Sequence, residues 1–171
     1  MATRELKKIS PEHKLIISSY AHEYPVKLGS LARELGIHSV KVTGMKTGVS
    51  GQITREDGKY VIRINRNESR ERQRFTIAHE LAHYLLHRSI IDKSPDGITD
   101  NVLYRSGEPE TVEFEANRLA AHLVMPSELI KKVLAEDFGG IVTADTIESL
   151  AVRFEVSKAA MEIQLSIFSE G

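Results

Sequence analysis

The chain contains no cysteine in 171 residues. That excludes disulfides and thiolate ligands, so a strong metal site here has to be built from histidine and carboxylate. The chain also lacks any long apolar run. Within the first twenty residues none exceeds Leu15-Ile16-Ile17, and nowhere does a stretch approach the roughly 20 apolar residues of a membrane span. A cleaved signal peptide is therefore not expected, and the expectation is a soluble, cytoplasmic protein. A net charge of −1 leaves no global bias toward nucleic acid or an anionic membrane. There is no internal repeat and no low-complexity segment. What remains, 41% apolar and 27% charged residues, is an ordinary globular composition, long enough for one compact domain with a real core.

The informative stretch is Phe75-Thr76-Ile77-Ala78-His79-Glu80-Leu81-Ala82-His83-Tyr84-Leu85-Leu86-His87, which places His-Glu-x-x-His inside a helical pattern. Phe75, Ala78, Ala82 and Leu85 recur at helical spacing, Leu81 and Leu86 widen the stripe, and no Gly or Pro interrupts it. Asn67 or Ser69 supplies a cap, with Glu71 in the first turn. Residues four apart on a helix differ by about 40° and about 6 Å, so the rings of His79 and His83 can converge on one ion. Catalytic zinc takes three protein ligands, leaving one to be found. Glu80, about 100° from His79, cannot comfortably share the ion but can reach a water beside it and take its proton. His83 and His87 are also four apart, without an intervening acid. His87 lies about 12 Å along the axis from His79, too far to share the ion, and is read as structural.

Upstream, residues 1 to 10 read as frayed, a helix starts at Ser10-Pro11-Glu12, and a second runs from Leu28 to Leu35 and ends at Gly36. Ser39 to Thr43 reads as a strand. Gly51 to Thr54 and Lys59 to Ile64 flank a turn at Glu56-Asp57-Gly58, and the second of these strands is expected to be a sheet edge to which an extended peptide can add. Lys59 to Arg74 carries six basic residues against Glu68 and Glu71, a local excess of 6 − 2 = 4, read first as a solvated face and second as a contact patch. Residues 88 to 108 read as a long loop, either walling a cleft or simply disordered.

Glu110 to Met125 forms the second informative helix, with Val112, Ala116, Leu119 and Leu123 on one stripe and Pro126 ending it. A carboxylate at Glu113 would complete a His-His-Glu site, with Asn117 one turn later supporting a ligand by a hydrogen bond. Glu115 competes with it. The two point about 200° apart, so only one can face the ion. Helices then cover Ser127 to Leu134, Thr146 to Phe154 and Ser157 to Leu165, the last two with the look of a helix-turn-helix. Residues 143 to 171 carry Arg153 and Lys158 against five acids, 2 − 5 = −3, so no direct nucleic-acid contact is expected.

Taken together, the block Arg74 to His87 and the block Glu113 to Pro126 closely resemble the ImmA/IrrE family of metallopeptidases, and the similarity runs from about Leu28 to Leu165. The resemblance implies an α+β, zinc-metallopeptidase-like fold, its active helix packed on a small three-stranded sheet with additional helices. It implies His79, His83 and Glu113 as ligands of Zn2+ and Glu80 as the catalytic base. It also implies the partner: a helix-turn-helix repressor, cut so that repression is relieved during stress or mobile-element induction. The sequence differs from the family's usual pattern at Leu119, His122 and Gln164, where Phe, Glu and Arg are common. An extended zinc motif with a third histidine would need Gly and His at positions 86 and 89, which are Leu86 and Ser89. His122 and Tyr104 are the candidates for stabilising an oxyanion beyond the metal. The expected organisation is a single zinc metallopeptidase domain over residues 1–171, with helices in 10–36, sheet and active helix in 39–87, the second ligand helix in 110–125 and a helical tail in 127–168. The rival reading is a metal-containing regulatory module, a toxin-antitoxin or phage-control partner that sequesters without cutting. The intact Glu80 argues for catalysis, since a pure binder needs no base there.

Overall fold

In the computed structural model, which describes residues 4–101 and 108–169, residues 4–10 are not frayed. Residues Glu5–Lys8 form a 3₁₀ turn. Its anchor is Glu5, 1% exposed, whose Oε1 accepts from Arg118 Nε and Nη2 at 2.9 and 2.7 Å. A polar stretch hides such a tie because its partner lies 113 residues away. Helix α1 (Pro11–Ser19) starts where Ser10 Oγ accepts from the His13 amide at 3.2 Å, and α2 (Leu28–Leu35) buries Leu28, Leu31, Ala32 and Leu35 before ending at Gly36.

Strand β1 (Ile37–Thr43) is followed by the hairpin β2 (Val49–Glu56) and β3 (Lys59–Asn65). Asp57 and Gly58 turn the chain with φ of 50° and 77°, the two-residue left-handed turn that Asp-Gly favours. Among the described residues the sheet has four strands, in the order β1-β3-β2-β4. The fourth, β4 (Ile98–Asn101), and the short helix α4 (Arg88–Asp92) occupy the segment that reads as a loop in sequence, where a strand of four residues is too short to show a period. Strand β3 is therefore not an edge. It pairs in parallel with β1 and antiparallel with β2, and burial of the consecutive Val61 and Ile62 marks a strand covered on both faces. The outer strands are β1 and β4.

Entry into β4 depends on Gly97, which has φ 57° and whose missing Cβ would stand 1.9 Å from the carbonyl oxygen of Ile53. Gly97→Ala is expected to destabilise the protein by about 1–3 kcal/mol through backbone strain alone, with the overlap adding to it. Chemical denaturation measures this, and an unchanged midpoint and slope would contradict it.

Helix α3 (Arg70–Leu86) is capped by Ser69, whose Oγ accepts from the Arg72 amide at 3.2 Å. It packs against β2, β3 and β4 on one side and helix α5 (Glu110–Val124) on the other. That double burial explains why Ala78, Leu81 and Ala82 are completely covered. Small side chains at Ala78 and Ala82 of α3 and Ala116 and Ala120 of α5, all fully buried, permit a close approach of the two helices. Helices α6 (Ser127–Phe138), α7 (Ala144–Phe154) and α8 (Lys158–Ser169) complete the core with Ile130, Leu150, Phe154 and Met161. The basic run before α3 is largely consumed internally. Arg63 pairs with Glu56, Arg72 with Glu68 and Asp100, and Arg70 and Arg74 with Glu155. Among the described residues no helix is long and apolar enough to cross a membrane.

Candidate metal centre

One helical turn separates His79 from His83 on α3, and their Nε2 atoms face each other at 3.1 Å. Glu113 of α5 closes the triangle, with Oε2 at 3.2 Å from His79 Nε2 and Oε1 at 3.3 Å from His83 Nε2. A tetrahedral ion with zinc-like bonds of roughly 2.0–2.1 Å separates its donor atoms by about 3.3 Å, so the three side chains stand at the spacing such an ion requires. The donor set, two imidazoles and a carboxylate, suits zinc. Glu115 is not in this group; it projects toward the N-terminal turn, where Lys8 Nζ donates to its Oε2.

The charges are arranged by burial and by proximity. Burial works against protonation of His79, but its hydrogen bond to Glu113 and the charges of Glu80, Asp100 and Glu113 outweigh that and lift it to about 9. Burial prevails at His83 and pushes its imidazole down, toward the neutral form. Burial also opposes the Glu113 charge, yet hydrogen bonds with His79 and His83 hold its carboxyl well below the usual range.

Glu80 is fully buried, and neither of its carboxylate oxygens has a hydrogen-bond partner among the described residues. Burial pushes its pKa well above the ordinary carboxylate value. A carboxyl group kept in such surroundings costs stability, which points to a role other than folding. Beside it, Asp100 of β4 joins His79 and Glu80 in a second group whose ligand atoms lie within 4.8 Å of one another. That group is the poorer cage, because Glu80 favours its protonated form there and ligands must be deprotonated. Asp100 went unrecognised in the sequence. It reaches the site because β4 pairs with β2 and because Arg72 Nη2 approaches its Oδ2 at 3.5 Å, and an Asp after Ile98-Thr99 carries no local signal.

Asn117 is where the second-helix pattern predicts support, with its Oδ1 2.9 Å from His79 Nδ1. His122 turns about 140° away from Asn117 on the helix period. It lines one cavity together with Phe75, Asn117 and Gln164, and others with Ile17, Ala21 and Pro126 on the side of the N-terminal helices. Tyr104 lies outside the described residues.

Fold and site together define a zinc-metallopeptidase-like α+β protein. The chain belongs to the peptidase family described as the IrrE N-terminal-like domain, whose model matches residues 32–166. Among solved structures, it is similar to a Mycobacterium tuberculosis transcriptional regulator, with a TM-score of 0.56 and 18% identity over 90% of this chain. The match spans 46% of that regulator's length, and at this identity the likeness is one of fold. No curated protein shows significant sequence similarity to the chain.

Proposed function

We propose that the chain is a zinc-dependent endopeptidase in which His79, His83 and Glu113 hold the ion and Glu80 is the general base. The observation that carries this reading is the pair of Glu80 oxygens, without a hydrogen-bond partner among the described residues, buried beside three convergent ligand atoms. Zinc at this position supplies a Lewis acid that acidifies a water and polarises a peptide carbonyl. The remaining work falls to the chain. Glu80 takes a proton from the attacking water and delivers it to the leaving nitrogen, so that the C–N bond breaks into a carboxylic acid and an amine. Positive charge held by the three ligands favours the carboxylate form of Glu80 and opposes the effect of its burial. Asn117 orients His79 by accepting the proton on its Nδ1.

The substrate we propose is a helix-turn-helix transcriptional repressor, the class implied by the ImmA/IrrE resemblance, cut so that repression is relieved. A cytoplasmic location suits such a substrate. Because β3 is internal, the strand available to an extended peptide near the site is β4, which carries Asp100 next to Glu80. A folded helix cannot pair with a strand edge, so cleavage is expected in an exposed or transiently opened linker and general proteolysis should be poor. The experiment compares the repressor encoded beside this protein with casein. A single cut in the repressor and little casein digestion are expected, and indiscriminate digestion of casein with an untouched repressor would overturn the regulatory reading. Retention of an uncut repressor by active, zinc-loaded protein would favour sequestration instead.

A further inference from the structure

The buried ring of His87, 8% exposed, takes no part in the chemistry above. Its Nδ1 lies 3.0 Å from His83 Nδ1, and its Nε2 lies 3.3 Å from Oε1 of Glu115. The other Glu115 oxygen accepts from Lys8 Nζ of the N-terminal 3₁₀ turn. An uninterrupted polar chain therefore runs from the back of His83 through His87 and Glu115 to a lysine at the surface.

Proton positions along that chain are not independent. His83 can offer the lone pair of Nε2 to the cluster only if its ring proton is on Nδ1. That proton then has one acceptor, His87 Nδ1, which requires the His87 proton to sit on Nε2, and there it meets the Glu115 carboxylate. One arrangement satisfies all three groups. With the His83 proton on Nε2 instead, no proton stands between the two Nδ1 atoms unless His87 turns its own away from Glu115. The two ligand histidines are thus supported differently: His79 by the neutral amide of Asn117, His83 by a chain that ends in an ion pair.

Resting on the reading of His79, His83 and Glu113 as metal ligands, we propose that His87 and Glu115 are positioning residues that lock His83 in its ligating tautomer. Lys8 holds Glu115 in place, so the N-terminal turn is coupled to the metal site rather than merely packed beside it. The sequence separates these three residues completely, apart from the spacing of His83 and His87.

The test is the zinc affinity of the purified full chain, read by competition with a chromophoric chelator. Wild type should bind one zinc per chain. His87→Leu, which fills the space without an acceptor, should bind about 10–100-fold more weakly, the size of effect common for partners behind a metal ligand. His87→Asn places an amide oxygen where Nδ1 stood and should recover most of that loss. Ring nitrogen NMR of the zinc-loaded wild type should show the His83 proton on Nδ1. Glu115→Ala, at a partly exposed position, is the second variant should His87→Leu fail to fold, and should weaken zinc by roughly tenfold or more. The proposal is overturned if both substitutions leave zinc affinity at the wild-type level, or if His87→Asn is as weak as His87→Leu. A wild type that takes up no zinc would defeat the parent assignment of ligands, and this inference with it, in a result distinct from either.

Discussion

Glu80→Gln is expected to retain stoichiometric zinc and to cut the repressor at least about a hundredfold more slowly than wild type, the loss typical of removing a general base. The substitution preserves size and removes the group that accepts a proton. Because neither Glu80 oxygen is engaged by another side chain among the described residues, no structural hydrogen bond is broken with it. Gln matches Glu in size and carries no charge, and burial already disfavours the charged form of Glu80, so the substitution should leave the fold intact. Single-turnover cleavage with zinc-loaded protein isolates the chemical step, and elemental analysis of the same sample reports the metal. Turnover equal to wild type would remove Glu80 from the mechanism. Loss of zinc in parallel with activity would make it a ligand instead.

The second large effect concerns Glu113. Glu113→Ala should lower zinc affinity by more than the roughly 10–100-fold that accompanies changes behind a ligand, and Glu115→Ala should stay within that range. The asymmetry follows from direction. The two oxygens of Glu113 lie 3.2–3.3 Å from Nε2 of His79 and of His83, whereas Glu115 pairs with His87 and Lys8 among the described residues. Competition against a chelator of known affinity, with circular dichroism to establish that each variant folds, decides the ranking. The reverse order would move the third ligand to Glu115 and require α5 to turn. Removing Glu113 should also lower the His79 pKa, because one hydrogen bond and one charge that raise that imidazole against burial are lost.

Much of the site could be read one residue at a time. A helix period lets the rings of His79 and His83 converge and sets Glu80 beside them, and those relations survive folding because they are internal to α3. The turn at Asp57-Gly58 was legible for the same reason, and the cap was narrowed to Asn67 or Ser69, of which the structure uses Ser69: each rests on neighbours in sequence. The strand order was not legible. Alternation in Tyr60, Ile62 and Ile64 says that the segment is extended, but whether it lies at an edge depends on β1 pairing with it from outside the hairpin. Strand β4 is set by its pairing with β2 and by a glycine that must pass close to Ile53, and a stretch of four residues announces neither.

The choice between Glu113 and Glu115 marks the boundary most clearly. Sequence alone determined that an acidic helix with two opposed carboxylates follows a helix carrying a histidine pair, since composition and period are properties of contiguous residues. Which carboxylate meets the histidines depends on the rotation of α5 against α3, and that is set by the burial of Ala116, Leu119, Ala120 and Leu123 in a common core. The same packing sends Glu115 toward His87 and Lys8 and brings Glu5 to Arg118. Side-chain burial is a collective quantity, summed over residues distant in the chain, and only the folded structure can evaluate it.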